Sequence, residues 1–493
     1  MNSAMIIICL ALVGAIIVGL RASHGRKMNL EQWSVGGRTF GTVFVFVLMA
    51  GEIYTTFTFL GASGFAYGKG GAVLYIMTYT CLAFVSSYWL LPPIWRYAKQ
   101  HNLITQPDFF AKVYDSPTVG FIVAIVGLVA LIPYLILQFK GLGIIVEIAS
   151  YGAISTQTAV IIGAVAMSIY VVVSGVHGSA WNATIKDCTI LLVCAFLGLY
   201  LPYHYYGSVG EMFASIEKAK SGFLALPQVG ENPMWYCTTI AISALGLYMW
   251  PHTFASIYTS KSEGIFRKNA VVMPLYSLVM LFSMLVGFTA VLKVPGLTGG
   301  QIDLALLRLS IATFDPWFVG VIGAAGVLTA LVPGSMMLIA ASTLFANNIY
   351  RKVMPETEGR SVSRIAKLAA PLIAIVAVYF TINGGNSIVA LLIMGYSIVT
   401  QLFPSLVASL LPNNPVTKQG AMAGILVGVT TVAVVATTKT SVATLFPGAS
   451  PLVAGINTGF IALTLNVATM IVVSVFSRVP QPRLAVRRNE LRT

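Results

Sequence analysis

An all-α integral membrane protein is the fold class this chain predicts, on three observations. Its 493 residues are 57% hydrophobic and only 9% charged, whereas a soluble globular chain carries about 25% charged residues. Its mean hydropathy is +0.86. Its apolar runs reach the length of about 20 residues that a helix needs to cross a bilayer, without the alternating pattern of an outer-membrane barrel.

Thirteen apolar segments follow one another along the sequence. The first, 4–20, has neither a basic leader nor a small-residue cleavage site, and is read as a span rather than a signal peptide. Next come 40–67, 71–95, 118–148, 156–174 and 179–203, and then an outside loop, 204–232, too short for a domain. Beyond it lie 233–259, 268–292, 315–349, 366–383 and 387–411, followed by 419–437 and 452–476.

Lysine and arginine orient these spans. One set of alternating loops, from Arg21 through Arg96, Lys261, Arg351 and Lys418 to the tail, holds 21 of the 29 basic residues. The opposite loops hold six, from Lys69 to Lys439, while Lys140 and Lys186 lie inside spans. The asymmetry puts the N-terminus outside and the C-terminus in the cytoplasm of a bacterial-type inner membrane. It also accounts for the net charge of +14 without nucleic acid. The basic tail at 477–493 suits an anionic leaflet. The five cysteines show no CxxC spacing, so neither a metal site nor a disulfide framework is read. No P-loop, HExxH or GxSxG is present. A secondary transporter therefore leads over an ATP-driven pump or membrane enzyme, with no cofactor expected; oligomeric state is not encoded legibly.

Two spans predict breaks. The second contains Gly51-Glu52 and then Thr55, Thr56 and Thr58; the seventh contains Gly246 and then Trp250-Pro251-His252. Proline removes a backbone donor and clashes with the preceding turn. In transporters built from inverted repeats, such breaks frame the substrate and the coupling ion. The two lie five spans apart, which predicts one five-helix repeat at 40–203 and an inverted second at 233–411. Residues 1–39 form the first helix and its cytoplasmic loop, and 412–476 two peripheral helices. The repeat rests on topology and break placement, not on residue-level similarity between the halves.

Charges inside apolar runs are expensive and mark functional sites. Glu52 at the first break is read as a cation or proton site. Lys186 and Asp187 are neighbours about 100° apart around a helix, so different partners are expected for them. Gly51, Tyr54 and Thr55 at the first break, Tyr248, Trp250 and His252 at the second, and Tyr134 with Gln138 one turn later are the candidate substrate contacts. Lys140 points away from the Tyr134–Gln138 face, toward a vestibule or an acid. Glu147, near a helix end, is structural.

Five stretches resemble the sodium:solute symporter family: WSVGGRTFG at 33–41, YVVVSGVHGSAWNATIKD at 170–187, PHTFASIYTS at 251–260, ASTLFANNIYRK at 341–352 and GEIYTTFTFLGASG at 51–64. The last is similar to the bacterial branch that includes monocarboxylate permeases. The resemblance implies thirteen helices around a five-plus-five core similar to the leucine-transporter fold. It also implies a W-T-D triplet in the sixth span with a sodium-binding Asp, where this chain has Trp181-Asn182-Ala183. The implied hydroxyl pair of the ninth span falls on Val332 and Pro333, with Ser335 and Thr343 nearby. Lys186, one turn beyond Ala183, is then placed to project an ammonium into the vacated position. Lysines held out of water titrate nearer neutral pH than exposed ones, so H⁺ becomes a coupling ion beside Na⁺; sodium held at Glu52 and Asp187 is the other option. The expected function is import of a small organic solute, a short monocarboxylate first, with an amino acid, vitamin or sugar as the alternative. A channel or transporter-like sensor is the reading from a different class.

Overall fold

The computed structural model describes residues 2–25, 28–356 and 359–478. Arg26, Lys27 and the basic tail beyond Arg478 lie outside that range. Among the described residues there is no strand; one isolated bridge joins Phe40 to Ser260. The described residues are all-helical, and ten helical segments among them are long and apolar enough to cross a membrane.

The order begins with α1 (Ser3–Ser23), α2 (Leu30–Val35), α3 (Thr42–Ile53), α4 (Ala62–Lys69), α5 (Tyr75–Gln100) and α6 (Gln106–Val113). Then come α7 (Pro117–Ala149), α8 (Thr156–Tyr206), α9 (Val209–Ala219), α10 (Pro233–Gly246), α11 (Pro251–Thr259), α12 (Gly264–Tyr276) and α13 (Leu278–Ala290). The rest are α14 (Ala305–Thr313), α15 (Pro316–Leu344), α16 (Arg351–Val353), α17 (Gly359–Asn383), α18 (Ile388–Val399), α19 (Phe403–Leu410), α20 (Lys418–Thr438), α21 (Val442–Leu445), α22 (Pro451–Ala454) and α23 (Thr458–Ser477).

The sequence predicts a loop between spans at 175–178, and the structure corrects it. Helical structure is continuous from Thr156 to Tyr206 except at Gly175, whose φ of 53° and ψ of −156° are open only to glycine. The chain folds back there. Asn182 Nδ2 donates to the Tyr170 hydroxyl at 2.9 Å, yet twelve residues of straight helix climb about 18 Å. The same amide reaches the Ala15 carbonyl at 2.9 Å, which fixes α1 against the hairpin. α1 also packs on α15, where Gly320 and Gly323 admit Ala4 and Ile8.

α15 is the centre of the core: its apolar window is buried throughout. α7 and α8 flank it, and α3 and α11 cross beside them. At the periphery, Gly420, Gly424 and Gly428 on α20 meet Ser474, Met470 and Asn466 on α23. That small-xxx-small ridge lets two backbones approach where lipid supplies no hydrophobic drive.

Candidate functional site

α3 ends because Tyr54 leaves helical geometry (φ −87°, ψ 85°) and the Thr55 hydroxyl accepts the Phe57 N–H at 3.1 Å. Threonine side chains compete with the helix ladder in this way. A π-turn over Phe57–Gly61 then leads into α4. The break lies at Tyr54 and Thr55, so Gly51 and Glu52, where the sequence places it, remain helical. Four consecutive carbonyls lose their ladder partners, and side chains take all four. Lys186 Nζ donates to Gly51 O at 3.0 Å and Tyr54 O at 2.8 Å. The Tyr134 hydroxyl donates to Glu52 O at 3.1 Å and the Thr58 hydroxyl to Ile53 O at 3.4 Å.

The second break falls where Pro251 predicts it. α10 stops at Gly246, one 3-10 turn covers Leu247–Met249, and Trp250 is extended (φ −68°, ψ 136°). α11 restarts on Pro251, the position where a missing N–H is harmless.

Lys186 lies between the broken α3 and the core and is wholly buried. Its ammonium also stands 2.8 Å from Asp187 Oδ1, an ion-pair distance without hydrogen-bond alignment. This corrects the expectation of separate partners: the four-carbon stem is flexible enough to turn the ammonium back onto its neighbour. The Asp187 carbonyl accepts the Tyr276 hydroxyl at 2.8 Å. Ala183 and Val332 pack with Val47 in a small apolar cluster. A methyl added at Gly51 would lie 3.0 Å from Ala183 Cβ and 3.7 Å from both Val332 Cγ1 and Lys186 Nζ. Three oxygens, Gly51 O, Tyr54 O and Asp187 Oδ1, thus contact the ammonium, while Ala183 and Val332 present methyl groups near Gly51. Ser335 is not at the ammonium; it donates to Val332 O at 2.6 Å and pairs with Ser179 at 2.8 Å.

A small cavity lies between the two breaks. Glu52, Tyr134, Trp250 and His252 line it, with Tyr79 from α5 and Tyr396 from α18. Tyr134 and Trp250 lie 4.7 Å apart between ring centres, Tyr134 and His252 5.4 Å, and Trp250 and Tyr396 5.5 Å. Its room for solvent is about 10 Å³, of the order of one water. The Ser256 hydroxyl donates to Glu52 Oε1, while Glu52 Oε2 and His252 Nδ1 are buried without partners among the described residues.

Several sequence-predicted contacts lie elsewhere. Gly51 and Tyr54 contribute carbonyls to Lys186, and Thr55 caps the broken turn. Gln138 accepts the Thr56 hydroxyl at 2.9 Å. Tyr248 is buried beside the cavity but does not line it. Sequence reasoning missed Ser256, although it lies one helical turn past His252. Tyr79 and Tyr396 arrive from distant spans and carry no local signal. Glu52 and Asp187 share no hydrogen-bond partner: one faces Ser256 and the cavity, the other is paired with Lys186.

Lys140 is not at this site. It pairs with Asp303 Oδ2 at 2.6 Å and donates to Asn386 O at 2.8 Å. Asp303 also accepts the Ile388 N–H at 3.0 Å, so the trio ties the loop before α14 to the start of α18. Burial pushes the Asp303 carboxyl up from its ordinary range, and Lys140 pulls it back. Lys140→Met removes that pull and strands a buried acid, which typically costs about 3–5 kcal/mol. With the folded-state carboxyl raised further, stability is lost as pH rises through its titration and recovered below it. Thermal melts of the purified variant should show a deficit at neutral pH that shrinks on acidification.

The family model that matches residues 33–428 is that of the sodium:solute symporter family. The chain is 58% identical to the "Uncharacterized symporter YhjB" of Bacillus subtilis (strain 168), over 97% of this chain and 98% of the relative. It is 27% identical to a monocarboxylate transport permease protein of Rhizobium johnstonii, over 87% of each. The fold is similar to that of a Na⁺-coupled sialic acid symporter solved substrate-bound and outward-open. Its TM-score is 0.79 at 14% identity, covering 97% of this chain and 98% of that one.

Proposed function

The chain belongs to the sodium:solute symporter family, and from that premise we propose a secondary active importer of a short monocarboxylate, working by alternating access and coupled to protons. Its frame is thirteen spans with a five-plus-five inverted-repeat core similar to the leucine-transporter fold. Three features supply the count beyond the ten long segments: the α8 hairpin is two spans, and the broken pairs α3–α4 and α10–α11 are one each. The lysine asymmetry orients it with the N-terminus outside in the cytoplasmic membrane.

The observation that carries this reading is the Lys186 ammonium on the freed carbonyls of Gly51 and Tyr54. Unwound carbonyls in such a fold recruit a cation, and here the cation belongs to the chain. Ala183 and Val332 put methyl groups where the family pattern implies an acid and a hydroxyl. A sodium ion at this point would compete with a fixed like charge for the same carbonyls, without the acid and hydroxyl of the family pattern. A proton carried at Lys186 Nζ needs neither oxygen ligand. The acid substrate draws support from the permease relative and from the N-terminus of α11, whose dipole and unpaired N–H groups favour an anion. The near-closed cavity requires movement before any substrate enters.

The second reading is sodium-coupled import of an amino acid, vitamin or sugar, supported by the shared fold with a Na⁺-coupled symporter. Uptake by proteoliposomes of labelled lactate, pyruvate, acetate, proline, pantothenate and glucose separates the two. Lactate, pyruvate or acetate should accumulate with choline replacing sodium and collapse when a proton ionophore is added. Saturable sodium stimulation at fixed membrane potential would overturn proton coupling. Uptake confined to neutral solutes would overturn the acid, and unitary currents in planar bilayers the transporter itself.

A further inference from the structure

The cavity between the breaks presents one acid with an unsatisfied oxygen, Glu52 Oε2, and no lysine or arginine among its lining residues. A carboxylate substrate brought there meets a second carboxyl in a site closed to water. Two such groups in contact do not both stay ionised. Besides the charge of Lys186, the surroundings of Glu52 hold nothing to offset this. α11 offers the Ser256 hydroxyl, which one oxygen already accepts, and the His252 ring. α7, α5 and α18 offer the phenols of Tyr134, Tyr79 and Tyr396. α8 offers Lys186, whose ammonium is committed to two carbonyls and paired with Asp187.

We propose that Glu52 binds the substrate carboxylate through a shared proton, so that one proton enters this cavity with each substrate molecule, distinct from the proton on Lys186. The proposal rests on the acid-substrate reading above. Protonated Glu52 donates through Oε2 to one substrate oxygen, while Oε1 keeps the Ser256 hydroxyl. His252 lies one turn before Ser256 on the same face of α11, with Nδ1 unpartnered, and meets the other substrate oxygen through an N–H. The hydrocarbon end packs among Tyr134, Trp250 and Tyr396. No covalent bond changes: substrate anion and bulk proton arrive together, and the complex carries the charge of the empty ionised site.

Calorimetric titration of the purified protein with lactate and with propionate tests this, run from about pH 5.5 to about pH 8 in buffers of different ionisation enthalpy. One linked proton weakens apparent affinity about tenfold per pH unit once Glu52 is ionised in the free protein. Buffer dependence should report one proton taken up per acid bound. Glu52→Gln keeps a neutral N–H donor, so it should still bind the acids, with affinity flat across the range and no linked proton. Glu52→Asp should restore the pH slope. Acid binding without proton uptake in the wild type overturns this proposal and leaves the acid-substrate reading standing. So does a slope that survives in Glu52→Gln. If neither these acids nor pyruvate or acetate bind at any pH while an amine does, and Glu52→Gln abolishes the amine's binding, both fail: Glu52 and its aromatic walls then form a cation site.

Discussion

Lys186→Gln is expected to lower accumulation of substrate to what the one proton shared at Glu52 can drive, while leaving exchange across equal concentrations measurable. The ammonium spans the break in α3, holding Gly51 O and Tyr54 O 3.0 and 2.8 Å away. Glutamine keeps an N–H donor for one of those carbonyls but has no proton to gain or lose. Substrate can still bind with the proton shared at Glu52 and the protein can still rock, so counterflow of labelled substrate persists, but the second proton no longer ties the movement to the gradient. A purely structural lysine predicts otherwise. Removing it strands Asp187, which is buried, and breaking a buried pair costs about 3–5 kcal/mol; folded yield falls, and accumulation falls only in proportion. The double variant Lys186→Gln/Asp187→Asn decides, because neither charge is then stranded. If it folds at wild-type yield and accumulates substrate to the wild-type level, Lys186 has no part in coupling. If it folds, exchanges and accumulates less than the wild type, the lysine carries a coupling proton.

The frame of the protein was legible because its signals are local. Apolar length marks the spans, and Pro251 forces a restart whatever surrounds it. The Asn182 and Ala183 departures were visible against the family pattern, and the structure brings Ala183 to Val332 and Gly51 although they are far apart in sequence. Other features depend on tertiary placement. The first break starts at Tyr54 rather than Gly51 because the Thr55 hydroxyl wins the Phe57 N–H, a competition that residue types allow but do not locate. Lys186 finds Asp187 through a flexible stem, which helical angles alone misjudge. Tyr79 and Tyr396 close the cavity from helices with no motif at all. The sequence leaves Lys140 between a vestibule and an acid partner because Asp303 lies 163 positions away.

Gly175→Ala should be among the most damaging single-methyl changes in the protein. The hairpin in α8 turns on this residue, at φ 53° and ψ −156°, a region that side chains avoid at a cost of about 1–3 kcal/mol. Space is the second obstacle. The new methyl would lie 2.6 Å from Trp33 Cδ1 and 2.7 Å from the Trp33 carbonyl. Trp33 itself cannot drift, being fully buried with its indole N–H on Val171 O at 3.0 Å. Strain and overpacking, each worth about 1–3 kcal/mol, fall on one site and together approach the net stability of a typical domain. The functional consequence follows from position: the second arm of the hairpin carries Asn182, Ala183 and Lys186, and a straightened or shifted turn moves the ammonium off the broken α3. Gly14→Ala is the matched control, since its added methyl meets nothing within 4 Å in a regular stretch of α1, where alanine is favoured over glycine by about 0.5–1 kcal/mol. Thermal melts in one detergent should show Gly14→Ala unchanged or raised and Gly175→Ala strongly lowered, with uptake lost. A Gly175→Ala protein that melted with the wild type would mean that residues 170–182 do not turn back at this glycine.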